Sequence, residues 1–317
     1  MVNILGFHLK PPILYDPDED KWQALWRCSL AEFFGTAIFI FLGCGSVFSA
    51  FEFSRHTDGN LDSFIVLVAM GHGFAITVVI YTIGDVSGGN INPAITWALV
   101  LTRKMSLLRG GLYWIAQISG AVCGALLLKS MIPPAMLQTG VISEMLGCHG
   151  LHHDMDPLQG FWFEIVLTFI FVFVVFGTAI SPFVGKMAPV SGGGDEYGPG
   201  KLTPLALGLT ILVLHLVAVP FTGASMNPAR SFGPALIGSC WDNHWVYWAG
   251  PLVGSTVSAL VAHTLFLSNP SDIAMSFAII RGDQSLAKLS DKKKGMSPSS
   301  TPAENYSQVN EEVELEQ

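Results

Sequence analysis

Residues 87–101 read "SGGNINPAITWALVL", and residues 222–237 read "TGASMNPARSFGPALI". Each holds the triplet Asn-Pro-Ala, at Asn92, Pro93 and Ala94 and again at Asn227, Pro228 and Ala229. Asn favours the N-cap of a helix, and Pro is suited to the first turn because its missing N–H would be unpaired there. Each triplet therefore predicts a helix start. The apolar stretch behind it is too short to cross a bilayer, whose ~30 Å core needs ~20 residues.

The surroundings are apolar. Half the residues are hydrophobic and 13% are charged, against roughly 25% charged in a typical soluble domain. The long runs 64–84, 111–128, 161–180, 205–222 and 245–267 are poor in charge, as is the run after Arg27, where Glu32 is the one ionisable group before Glu52. Six membrane spans are predicted. Residues 1–28 are polar and lack the apolar core of a cleavable leader, so the first span is expected to direct insertion.

The chain divides near residue 140 into matching halves, about 26–132 and 160–268. Each opens with a span carrying one Glu, Glu32 in the first and Glu164 in the second. The motif Asn follows 60 residues later in one half and 63 in the other. Three spans per half reverse the direction of the second half, giving an inverted repeat. The two short helices then enter from opposite faces and meet near the midplane. Irregular backbone at that depth needs protein around it or a polar cavity beside it. A carboxyl alone in a span needs a partner, so Glu32 and Glu164 read as structural.

Residues 1–25 are expected to be an N-terminal tail, 26–269 the membrane domain, and 270–317 a polar, disordered C-terminal tail. Residues 181–203 are expected to form a mobile loop. Six spans put both tails on one side. With the second and fourth connections they hold Lys10, Lys21, Arg27, Arg103, Lys104, Arg109, Lys186, Lys201, Arg281, Lys288 and Lys292–Lys294, against Arg55 and Lys129 opposite. That asymmetry makes both termini cytoplasmic.

The two motifs, with a Glu heading each half, resemble the major intrinsic protein (aquaporin) family over roughly residues 25–268. The resemblance implies an all-α fold of six transmembrane helices plus two half-helices, one pore per subunit, and a homotetramer in lipid. It also implies that the buried Glu residues hold the motif loops. A charge at Arg230, three residues past Asn227, marks function at this depth. The resemblance places it in a selectivity filter with His72, His215 and Ala224. That quartet is similar to the hybrid intrinsic proteins of plants, and the chain is also similar to plasma-membrane and vacuolar plant aquaporins. Ser231, Ala235 and the pair Tyr247–Trp248 match water channels rather than glycerol channels. The implied function is passive, single-file water conduction that excludes protons and ions.

Other readings remain open. Ammonia or hydrogen peroxide are further candidate permeants, with His72 offering the filter a second polar side chain. A secondary transporter is a more remote reading. No enzyme framework, cofactor, metal requirement or nucleic-acid partner is expected. The segment "GCHGLHHDMD" (147–156) resembles a metal-ligand cluster but reads as a solvated loop, with weak metal binding or a His near the pore mouth as second readings. Ser106, after a basic pair, resembles a phosphorylation site of plant plasma-membrane aquaporins, and the plasma membrane is expected rather than a vacuolar or other internal one. The five Cys show no paired spacing; Cys44 and Cys123 lie in spans and read as packing residues. With Ala224 at the filter-loop position, mercury block is expected to be weak, with any residual effect acting through Cys148 or Cys240.

Overall fold

The computed structural model describes residues 2–4, 7–9, 12–17, 21–56, 61–137, 146–180 and 202–267. The segments 181–201 and 268–317, and so most of the expected mobile loop and disordered tail, lie outside the described residues. Two units are distinguished, residues 1–10 with 268–317, and residues 11–267. In the first, strands Val2–Ile4 and Phe7–Leu9 pair antiparallel. This small hairpin lies within the expected N-terminal tail, ahead of the helical membrane domain in the chain.

The second unit is helical. Its elements are α1 (Trp22–His56), α2 (Leu61–Ser87), α3 (Pro93–Leu101), α4 (Leu107–Met131), α5 (Pro157–Val175), α6 (Thr203–Ala218), α7 (Pro228–Gly238) and α8 (Val246–Ala262). Wider turns at Phe176–Ile180 and His263–Leu267 prolong α5 and α8, and a single turn at Pro134–Leu137 follows α4. Five of these helices are long and apolar enough to span a membrane. The sixth apolar helix, α6, has 16 residues, a length of about 24 Å at 1.5 Å per residue. It starts just after the undescribed segment and stops at Ala218, short of the expected Thr222, because the motif loop begins there.

Polarity runs inside out relative to a soluble bundle. Leu, Ile, Val and Phe at i, i+4 spacing face outward, as Phe34, Ile38 and Leu42 on α1 and Met70, Phe74 and Val78 on α2. The buried side chains include Glu32, His72, Thr96, Gln117, Glu164, His215 and Arg230. That arrangement suits lipid outside and polar groups gathered within.

Packing follows the two halves and then crosses between them. Helix α1 packs on α2 and α4, α5 packs on α8, and α2 packs on α6. Small residues permit the closest approaches. A Cβ at Gly120 or Gly124 on α4 would strike the backbone of Phe33 or Ala37 on α1, and one at Gly254 on α8 would strike Ile165 on α5. The half-helices exchange sides: α3 packs against α8 more extensively than against α4, and α7 against α4 more than against α8.

Candidate functional site

Both motif triplets start helices. Asn92 is extended, and its Oδ1 accepts from Ala94 N at 2.8 Å with Pro93 in the first turn. Asn227 does the same for Ala229 N and Arg230 N, with Pro228 following. An amide keeps two N–H donors when its oxygen is used this way. One of them crosses to the opposite half. Asn92 Nδ2 donates to Met226 O at 2.9 Å, and Asn227 Nδ2 donates to Ile91 O at 3.0 Å. The second hydrogen of each amide remains for whatever lies in the channel.

Those carbonyls are available because the preceding residues take left-handed conformations, with φ of 57° at Ile91 and 53° at Met226. The loops match throughout: Gly88 and Gly223 have φ of 91° and 81°, and Gly89 and Ala224 have 62° and 63°. Such turns leave backbone N–H groups without helix partners, and the two buried carboxyl groups collect them. Glu32 accepts from Ser87 Oγ (2.7 Å), Asn90 N (2.9 Å), Ile91 N (2.7 Å) and Gln117 Nε2 (2.9 Å). Glu164 accepts from Thr222 Oγ1 (2.7 Å), Ser225 N (3.0 Å) and Met226 N (2.8 Å). Both side chains are 0% exposed. Three donors of each set correspond at an offset of 135 residues, Ser87 with Thr222, Asn90 with Ser225 and Ile91 with Met226, and Glu32 has Gln117 in addition.

Arg230 follows one turn into α7 and is buried. Its Nε donates to His72 Nε2 at 3.0 Å and its Nη1 to Gly147 O at 2.8 Å. The His72 Nδ1 lies 3.0 Å from Val68 O, so it carries the hydrogen and both ring nitrogens are engaged. This corrects the expectation that His72 would offer the permeant a second polar group: its free acceptor is spent on Arg230. The His215 ring stacks on it, with centroids 4.4 Å apart. His215 Nδ1 donates to Ile211 O at 2.8 Å, and its Nε2 has no protein partner among the described residues. Ala224 is buried, with its N–H donating to Thr222 Oγ1 at 3.2 Å. A narrow cavity of about 20 Å³ is lined by His72, His215, Arg230, Asn92 and Asn227, among others, room enough for a water molecule. It adjoins a wider one of about 340 Å³ at Ile80, Asn90 and Ile95, bounded also by Tyr81, Asp85 and Thr203.

The loop before α5 contributes more than the sequence suggests. Gly147 O binds Arg230. Cys148 is disulfide-bonded to Cys240, with Cα atoms 6.5 Å apart. That pairing, which no spacing announced, removes both thiols as free mercury targets; Cys28, Cys44 and Cys123 are outside it. His149 is buried, with Nδ1 2.7 Å from Ser231 Oγ, and Ser231 Oγ in turn 2.6 Å from Ser225 Oγ. Burial first, and then the Arg230 charge, hold the His149 imidazole well below the usual histidine range. His152 N donates to Phe221 O at 2.8 Å. Of the segment resembling metal ligands, His152, His153 and Asp154 bring their ligand atoms within 4.8 Å and are exposed, as the solvated-loop reading has it. Cys148 and His149 stand apart from that group. His149 is buried beside Ser231, yet nothing local in the sequence separates it from its exposed neighbours.

Ser106 is 1% exposed and caps α4, its Oγ accepting from Arg109 N at 3.1 Å. A kinase reaches that hydroxyl only after the first turn of α4 opens.

The sequence profile described as "Major intrinsic protein" matches residues 19–262. The chain belongs to the major intrinsic protein family. Among the curated relatives of this family member is "Probable aquaporin TIP3-2" of Arabidopsis thaliana, 38% identical over 250 residues, 78% of this chain and 86% of the relative. "Aquaporin TIP1-2" of Musa acuminata is 39% identical over 251 residues, covering 79% and 91%. "Aquaporin-4" of Mus musculus is 36% identical over 244 residues, covering 77% and 68%. Among solved structures, the aquaglyceroporin of Plasmodium falciparum superposes with a TM-score of 0.64 at 22% identity, covering 76% of this chain and 96% of that one; it speaks to the fold. This aquaporin-family chain is a multi-pass transmembrane channel, and channels of this family are not enzymes.

Proposed function

We propose that the channel is water-selective, conducts in single file, and has its narrowest point at Arg230, His72, His215 and Ala224. The observation that carries this reading is the meeting of two half-helix N-termini at crossed Asn amides. Positive helix ends disfavour cations there. The remaining N–H of Asn92 and of Asn227 would donate to the oxygen of a passing water. Water held as an acceptor from both sides cannot relay a proton along the file, and the Arg230 charge adds a barrier at the outer end. His215 Nε2 supplies an acceptor at the filter, which suits water and also ammonia, with its three donors. Glu32 and Glu164 are committed to loop backbone, which leaves the secondary-transporter reading without a carboxylate for a coupling ion. The Lys and Arg distribution supports cytoplasmic termini, and the Ser106 stretch supports a plasma-membrane location. The outward apolar faces of α1, α2 and α6 fit lipid and the contacts of a homotetramer.

Purified protein in liposomes should raise osmotic water permeability well above protein-free vesicles in stopped-flow light scattering. Glycerol equilibration should stay slow at the same protein density. Rapid glycerol entry would overturn the water-selective assignment, and saturable, gradient-driven uptake would favour a transporter.

A further inference from the structure

We infer that the Cys148–Cys240 disulfide is a specificity-determining tie that holds the Gly147 carbonyl against Arg230. The inference rests on the filter proposed above and concerns what keeps it narrow. Arg230 sits in the first turn of α7, and Cys240 lies two residues beyond that helix's end. Gly147 O accepts from Arg230 Nη1 at 2.8 Å, and Cys148 is the next residue. The hydrogen bond and the disulfide therefore close a ring: Arg230, along α7 to Cys240, across the sulfurs to Cys148, and back through Gly147. The disulfide joins positions 92 residues apart. Without it, the segment 146–150 would return to Arg230 only through its own weaker contacts.

Those contacts are few and nearby. Leu146 and Gly147 both take left-handed backbone, at φ of 50° and 75°. Gly147 lies against Cys44, where an added Cβ would be 3.2 Å from the Cys44 Cα. His149 is anchored through Ser231, again on α7. The His149 ring also packs on Tyr247 of α8, with centroids 5.2 Å apart. The ties that run from this segment toward α7 are the Arg230 and Ser231 hydrogen bonds and the disulfide, and the disulfide is the covalent one. A guanidinium that loses one of the two acceptors it has among the described residues keeps its charge but gains freedom to swing, since His72 Nε2 is the remaining one of that pair. Such motion widens the opening intermittently and admits solutes larger than water. The tie acts on the filter without touching the permeant.

Reduction by a phosphine splits the S–S bond. The phosphine is oxidised to its oxide, taking the oxygen of a water molecule whose two hydrogens go to the resulting thiols. The experiment compares wild type, Cys148→Ser, Cys240→Ser and the double variant in liposomes, measuring water and urea permeability on the same preparations. Folded wild type treated with a water-soluble phosphine after purification is a fifth sample, so a folding defect in the variants cannot decide the result. The urea-to-water permeability ratio should rise by about threefold or more, the modest scale on which losing one hydrogen bond acts. The rise should be the same in all variants and in reduced wild type, with no further effect of phosphine on the variants. An unchanged ratio in reduced wild type, with water flux intact, would overturn the inference. So would two alkylatable thiols at positions 148 and 240 in unreduced protein. Absence of water flux in wild type would instead overturn the water-channel reading on which it rests.

Discussion

Ala224 has a φ of 63°, where its counterpart in the first half is Gly89 at 62°. A methyl group is tolerated in this conformation and a β-branched side chain is not. Ala224→Val should therefore destabilise the protein by about 1–3 kcal/mol, read as a lower thermal unfolding midpoint in detergent; an unchanged midpoint would show that the loop can refold around the larger side chain. His149 makes a second residue-scale prediction. Its folded-state pKa lies below the ordinary value of 6.5, mainly from burial. The unfolded chain then binds the proton more readily, so stability rises with pH across that interval. The contribution is complete above about 6.5 and is lost as pH falls toward the depressed value. Thermal midpoints should drop between pH 7.5 and 5, and the drop should be shallower in His149→Gln, where the amide retains a hydrogen-bonding group without titrating. Equal slopes in the two proteins would place the acid sensitivity elsewhere.

At the scale of elements, the contact of α4 with α1 depends on backbone reaching backbone. A side chain at Gly120 meets the Phe33 carbonyl, which cannot yield as a flexible side-chain tip would. Gly120→Val should push α4 from α1 and remove Gln117 from Glu32, since both residues lie on α4. Loss of monodisperse protein in size-exclusion chromatography is expected, while Gly111→Val, which has nothing within 4 Å, should behave as wild type. The elements themselves were legible in the chain, because apolar runs and an Asn-Pro start are local signals. A carboxyl in a span must find donors, so Glu32 and Glu164 could be expected to have partners; that the partners lie in the motif loops was implied by the family resemblance. What was not legible joins segments far apart. Cys148 finds Cys240, Arg230 finds Gly147 O, and His149 finds Ser231, and no spacing within any one segment encodes these meetings. The role of His72 was misread for the same reason: its register toward the pore is visible in sequence, but the competing claim of Arg230 on its free nitrogen is not.

For the whole molecule, the inverted repeat makes each half the completion of the other. The half-helices pack on the far half, and the motif amides reach across to it. The donor and acceptor of each such bond stand 134 or 136 residues apart. A ribosome adding 5–20 residues per second reaches Met226 roughly 7–27 s after Asn92. For that interval the nascent first half holds Asn92 and Ile91 with no partner from the second. Its loop is nevertheless already secured, since Ser87, Asn90, Ile91 and Gln117 all bind Glu32 from within the same half. The Glu32 bonds of the first motif thus draw only on residues made before its mate, and need nothing from the second half.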